Sequence, residues 1–272
     1  MEKINLTIAI AAYGEPKYLA QTIESVIKTQ SVETRIIVVD DCSPTDCVKK
    51  ICLEYLPRIE YFRNSSNLGI SENFNNILSI TKSKFVQILG HDDLLTSRID
   101  DIIFENLAVI NDCFAVQAGV IPIDKNGNRS KSITDVVKKL VSLRPEKVYS
   151  GKILRRSLMF GNWTYFPAII WNLEAISGEQ FAKEINYVQD LDLLLRMTKT
   201  KYGFMYSRTN AVSYRRHSNS ESMSMNPIDR FREEKYVCYK NHESFDEKIC
   251  SKILLLPRIN FILGMTTRKL FK

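Results

Sequence analysis

The stretch RIIVVDDCSPTDCVKKICLEYL, residues 35–56, decides the fold. Residues 35–41 are an apolar run that closes on two acids and read as a buried strand. Cys42-Ser43-Pro44-Thr45 follow with the chemistry of a turn. Residues 44–56, entered through Ser43-Pro44, read as a helix. A strand feeding a helix is one step of a β-α-β chain, and the same step recurs on both sides.

Upstream, LTIAIAAY (6–13) reads as a strand. PKYLAQTIESVIKT (16–29) reads as a helix with Leu19, Ile23, Val26 and Ile27 on one face and Pro16 at its start. Downstream, residues 59–64 read as a third strand. Residues 70–80 read as a third helix, with Ser71 as cap and Glu72 in its first turn. Residues 84–90 read as a fourth strand. This rhythm predicts an α/β fold with a mostly parallel central sheet, right-handed crossovers and flanking helices. Past residue 93 the pattern loosens. A helix is expected at 98–110, a strand at 114–124 and a turn at KNGN. Residues 130–150 read as a polar, irregular loop. IWNLEAI reads as a strand-to-helix step, DLDLLLRMTK as a helix and AVSYRRH (211–217) as a last strand.

The chain has 272 residues, 44% hydrophobic and 25% charged, which is ordinary globular composition. Its net charge is +7. Residues 249–272 carry Lys252, Arg258, Arg268, Lys269 and Lys272 and no acid, so this tail accounts for +5 and the rest for +2. A body so nearly neutral does not suggest a nucleic-acid grip. Cys42, Cys47, Cys52, Cys113, Cys238 and Cys250 form no CxxC pair and read as reduced thiols of a cytosolic protein. The N-terminus reads as a first strand rather than a signal peptide, because Glu2 cancels Lys3. No stretch approaches the roughly 18 apolar residues of a membrane span.

Ligands of parallel sheets bind outside the carboxyl ends of the strands. Glu15, Asp40-Asp41 and Asp92-Asp93 all follow strands and so converge on one edge. FVQILGHDDLLT (85–96) poses the sharpest question, because adjacent carboxylates repel unless a cation holds them. A hard divalent ion bridging a diphosphate would answer it; so would a helix cap. Asp40 or Asp41 suits a base or ribose donor, or plain turn chemistry. Asp190 and Asp192 in NYVQDLDLLLRM offer a general base, or first-turn acids favoured by the helix dipole. Arg215, Arg216 and His217 suit phosphate and metal, or a solvated loop. Trp163, Tyr165 and Phe166 offer faces for acceptor sugars, with core packing the other reading for the tryptophans and the main one for Trp171. Neither GxGxxG nor GxxxxGK[ST] occurs, so a dinucleotide fingerprint and a P-loop are excluded.

The ordered set AAYGEP, VVDDCSPTD, NSSNLGISENFN, ILGHDD, VQDLDLLLRM and YRRHSNSES resembles the family 2 glycosyltransferases of GT-A fold, over residues 4–222. The resemblance implies a single GT-A-type domain at 1–222, with a nucleotide-binding half (1–93) and an acceptor-binding half (94–222). Residues 223–272 would form a helical, basic-apolar extension. It implies that Ala12, Tyr13, Glu15, Asp41, Asn67, Gly69 and Asp92 bind the nucleotide-sugar, with Asp41 meeting the base. Asp92, Asp93 and His217 would serve Mn²⁺ or Mg²⁺, Asp190 would be the catalytic base, and Trp163 and Tyr165 would meet the acceptor. Two positions depart from the family pattern: Gly90 replaces an Asp of the metal motif, and Gln189 replaces the Glu before the base.

The implied chemistry is inverting transfer from a nucleotide-diphosphate sugar, most often a UDP-sugar, to a hydroxyl of a glycan or lipid-linked glycan acceptor. The implied setting is bacterial surface polysaccharide synthesis. The protein would then be cytoplasmic, at the inner face of the cell membrane, with 249–272 either lying on anionic lipid or packed on the body. Two other readings fit the same residues. One is a nucleotidyltransferase, against which the Gly- and Arg-poor AAYGEPKYL speaks. The other is a non-catalytic nucleotide- or glycan-binding relative, prompted by Gly90.

Overall fold

In the computed structural model, residues 5–31, 33–217 and 226–244 are described. Strands β1 (Leu6–Ala12), β2 (Arg35–Asp40), β3 (Glu60–Arg63) and β4 (Phe85–Gly90) pair in parallel in the order β3-β2-β1-β4. Helices α1 (Leu19–Thr29), α2 (Cys47–Leu53) and α3 (Ile70–Ile80) connect them. The expected alternation is therefore present, with ends trimmed by a few residues. Strands β1, β2 and β4 are apolar on both faces because both are covered, while β3 at the edge is half-exposed. Ile8, Ile10, Ile36 and Val38 enter one core cluster, while Ala9, Ile37, Val39 and Ile88 enter the other.

The second half turns the sheet mixed. Residues 98–110 form two short helices, α4 (Ile99–Glu105) and α5 (Leu107–Ile110), interrupted at Asn106. Strand β8 (Ile169–Asn172) runs antiparallel between β4 and β6 (Cys113–Ile123), and turns rather than a helix follow it. The last strand, β9 (Gly203–Arg215), is longer than 211–217 suggested. It runs parallel to β6, pairs β7 (Lys147–Tyr149) near its start and pairs β5 (Leu94–Leu95) near its end. The far end of β9 is thus laid against the turn that follows β4.

Residues 130–150 are not an irregular loop. They hold α6 (Ile133–Val141), opened by a capping box in which Asp135 N donates to Ser132 Oγ and Ser132 N to the Asp135 carboxylate. That box satisfies two orphan N–H groups of the first turn. Helix α7 (Gly151–Phe160) follows, then α8 (Gln189–Met197) and α9 (Pro227–Asn241). Helix α9 lies within the expected 223–272 extension, packs on α8 and buries Val237 and Cys238. The Glu233 carboxylate accepts the amides of Asn186, Tyr187 and Val188, so α9 also anchors the entry to α8. The expectation for 249–272 falls outside the described residues.

Candidate active site

Asp40 and Asp41 close β2 with different tasks. Asp40 is fully buried; its carboxylate accepts from Ser43 N, Tyr61 OH and Arg63 Nη1, which makes it the structural anchor of the turn. Asp41 is buried and accepts from Asn64 Nδ2 at 2.7 Å, Leu68 N at 2.9 Å and Gly69 N at 2.9 Å. It thereby holds the 64–69 loop over the carboxyl end of the sheet. Gly69 has φ +78, which an L side chain rarely adopts, and its N–H also meets Asn67 Oδ1. A carboxylate has about four lone-pair sites, so Asp41 retains capacity for one more donor. Ala12, exposed Tyr13 and exposed Glu15 flank the same edge, tied to the second loop by Gly14 N donating to Ser43 Oγ.

The turn after β4 carries Asp92 and Asp93. His217 Nε2 lies 2.9 Å from Asp92 Oδ2, and the imidazole rests on the Tyr18 ring. Asp93 is buried, with Oδ1 accepting from Arg215 N at 3.0 Å. Burial, then the adjacent Asp92 charge, pushes its carboxyl well above the usual range. Arg215 is buried rather than solvated or offered to phosphate. Its Nε donates to Asp92 O, its Nη2 to Gln21 Oε1, and its guanidinium stacks on Tyr18 at 4.4 Å. Gly90 admits the carboxylates: a Cβ there would meet Asp92 Oδ1 at 2.6 Å and Asp93 Oδ2 at 3.3 Å.

No cluster of three His, Cys, Asp or Glu suited to a metal occurs among the described residues. A pair of donors, Asp92 and His217, does face the edge. Mg²⁺ and Mn²⁺ are commonly held by one or two protein groups with substrate phosphates completing the shell, so this pair fits such an ion. Asp93 supports the turn from within.

Asp190 stands at the start of α8. Burial raises its carboxyl above the usual range; Leu191 N, Lys138, Arg230 and Asn162 pull in the other direction. Lys138, on α6, acts on it through its charge. Its Nζ donates to Thr164 O and lies 3.9 Å from the Tyr165 ring centroid. Burial, helped by Arg230 and Arg216 and opposed by Asp190 and Asp135, pushes the ammonium down to about 7. Tyr165 donates to Asp135 Oδ1 at 2.7 Å, and Arg216 Nη2 donates to the same oxygen at 2.5 Å. Asp192 is no candidate base in this arrangement, since it is buried and bonded to Arg196 and Asn241.

Trp163 corrects an expectation. It is 2% exposed, packs against Phe204 and Tyr206, and donates Nε1–H to Ser157 Oγ, so its faces are closed to an acceptor. Trp171 is core, as read. Lys138, Arg230 and Glu233 were not singled out from sequence. The Ser132-x-x-Asp135 cap was the available signal for the first of them.

The fold is an α/β sheet with an acidic pair, Asp92 and Asp93, after one strand and a half-buried carboxylate, Asp190, at the start of α8. The family model for glycosyl transferase family 2 matches residues 7–166, and the chain belongs to that family; it is a glycosyltransferase. An uncharacterized glycosyltransferase of Methanocaldococcus jannaschii is 24% identical over 260 residues, covering 93% of this chain and 84% of that protein. S. aureus TarS 1–349 in complex with UDP-GlcNAc superposes with a TM-score of 0.65 at 15% identity, covering 91% of this chain and 70% of that one. A longer S. aureus TarS structure superposes at 0.62, and this chain spans 42% of its length. These likenesses place the fold among GT-A-type enzymes, as expected. No described helix is long and apolar enough to cross a membrane.

Proposed function

We propose that the chain is an inverting glycosyltransferase. It moves a sugar from a nucleotide-diphosphate sugar, UDP-linked in the first instance, to a hydroxyl of a glycan or lipid-linked glycan acceptor of the bacterial surface. One observation carries the reading: a run of contacts, closed by a charge interaction, leads from the donor-side acid toward the half-buried Asp190 carboxylate. Asp92 meets His217; the next residue, Arg216, pairs with Asp135; Asp135 holds Tyr165; and Tyr165 lies under Lys138, whose charge acts on Asp190. The solved TarS complex with UDP-GlcNAc supports the choice of nucleotide.

In this reading Tyr13, Glu15 and Asp41 receive the base and ribose, while Asn67 and Gly69 border the diphosphate and sugar. Asp92 and His217 would hold Mn²⁺ or Mg²⁺, which supplies charge compensation for the diphosphate. Asp190 accepts the proton of the acceptor hydroxyl. The freed oxygen bonds to the anomeric carbon from the face opposite the diphosphate, and the bond to the diphosphate breaks with its electron pair. Tyr165, half-buried with its hydroxyl fixed by Asp135, lines the acceptor side.

The test is nucleotide release from a panel of nucleotide-sugars with Mn²⁺, with and without EDTA, on the wild type and Asp190→Asn. Turnover of one donor that EDTA abolishes, and that Asp190→Asn loses while still binding nucleotide, supports the reading. Full turnover by Asp190→Asn refutes its base.

A further inference from the structure

Helix α6 is worn inside out. At 100° per residue, Ile133, Val136 and Leu140 fall on one stripe, while Asp135 and Lys138 fall opposite. A helix on a soluble protein normally turns its apolar stripe to the core. Here the polar side faces inward: Asp135 is buried against Tyr165 and Arg216, and Lys138 donates to Thr164 O over the Tyr165 ring. Ile133, Val136 and Leu140 face solvent, 61%, 51% and 78% exposed, while Val137 is half-buried and Val141, on the flank of the stripe, packs against the core.

The surrounding charge is one-sided. Residues 129–156 hold nine lysines and arginines against two acids, Asp135 and Glu146. Asp135 is paired with Arg216, and the Glu146 carboxylate is bonded to Arg208 N. Lys131, Lys139, Arg144 and Lys147 are exposed. The body is therefore not evenly near-neutral: its positive charge gathers at this helix.

We propose that α6 docks on an anionic lipid surface, Ile133, Val136 and Leu140 entering the headgroup boundary and Lys131, Lys139, Arg144 and Lys147 meeting acidic headgroups. An exposed apolar stripe with a rim of cations is the pattern of an interfacial helix. Other occupants use less of it. A polyanion in water satisfies the cations and leaves the stripe wet. A second copy related by a two-fold axis sets this basic face against itself. The 249–272 segment carries five cations and no acid, so it too is repelled. Because the inner face of α6 holds Tyr165 and meets Thr164, docking brings the acceptor side of the site to the membrane. This consequence rests on the acceptor reading above; the docking itself does not.

Vesicle co-sedimentation tests it on the full chain, without donor or acceptor, so its outcome is separate from that of the transferase assay. The vesicles are phosphatidylcholine with and without one-third phosphatidylglycerol. The wild type binds the anionic vesicles in a salt-sensitive way, and Ile133→Ser/Val136→Ser/Leu140→Ser lowers the partition roughly tenfold or more. Leu140→Glu alone lowers it in the same direction and guards against misfolding of the triple variant, and an unchanged thermal melt confirms the fold of both. Arg258→Ser/Arg268→Ser/Lys269→Ser retains binding. Equal binding by the wild type and both stripe variants overturns the proposal, as does loss confined to the tail variant. A wild-type dimer that the stripe variants split into monomers, with no vesicle binding, assigns the stripe to self-association and overturns it as well.

Discussion

His217 Nε2 stands 2.9 Å from Asp92 Oδ2 although 125 residues separate them. Strand β9 makes the meeting possible: its end pairs β5, immediately after the Asp92 turn, and Arg215 ties the two together through Asp93 and Asp92 O. Asp92→Asn and His217→Ala are each expected to lower nucleotide release by about 10²-fold, from loss of charge compensation at the diphosphate. Calorimetric titration of nucleotide with and without Mn²⁺ checks this. Nucleotide affinity should depend on metal in the wild type and lose that dependence in both variants.

Gly90→Ala is expected to damage the same site through shape alone. The added Cβ would lie 2.6 Å from Asp92 Oδ1, so the carboxylate must leave its place beside His217. Activity should fall at least tenfold while the thermal midpoint moves by only a few degrees. Parallel assays of release and thermal melting measure both.

The pH profile reports on Asp190. Its carboxyl is raised by burial, and only the ionised form accepts a proton, so kcat/KM should fall as pH drops through a pKa above the ordinary ~3.9. The nearby Lys138 cation favours that ionised form. Lys138→Met should therefore raise the Asp190 pKa and move the acid limb to higher pH. Stability reports on Lys138 in a separate, higher pH window. Lys138 titrates near 7 in the folded chain, about three units below its unfolded value near 10.4, so the unfolded chain binds more protons between those values. Stability should rise with pH across that window in the wild type and flatten in Lys138→Met. Urea melts at several pH values read the second effect and initial rates the first.

Asp41→Ala removes the acceptor for Asn64 Nδ2, Leu68 N and Gly69 N together. Stranding these groups should cost roughly 2–4 kcal/mol in urea denaturation. Nucleotide affinity should fall as well, since the 64–69 loop borders the proposed donor site.

Glu233→Gln keeps the size of the side chain and weakens the anchor of Asn186, Tyr187 and Val188. Asp190 follows two residues later. The expected result is a lower kcat with donor KM little changed, because Glu233 acts on the base and touches nothing on the donor side. An equal loss in both parameters would point to general destabilisation instead.

Much of this site was legible in order along the chain. Asp41, Asp92, Asp190 and His217 each sit at the end of an apolar run or the start of a helix, and such junctions show in a single sequence. Individually each had a plain structural explanation, and for Asp40 and Asp192 that explanation is the one the structure supports. The residues around them were less legible. Lys138 was hidden because 130–150 reads as polar loop unless the Ser132–Asp135 box is noticed. Arg215 and Arg216 follow one another in sequence but part in space, one beneath Asp92 and the other on Asp135.

By itself, the sequence determined the parallel half of the sheet. Strand, turn and helix there are local matters, set by apolar period and turn chemistry within some twenty residues at a time. It determined that acids gather at one edge, since strands of one direction end on one side. Only the tertiary structure decided which face of each later element meets the core. Period identifies the residues that share a stripe, but not which side the stripe takes, because that depends on partners far along the chain. Hence Trp163 is buried between Phe204 and Tyr206, and α6 turns Asp135 and Lys138 inward and Ile133, Val136 and Leu140 to the outside.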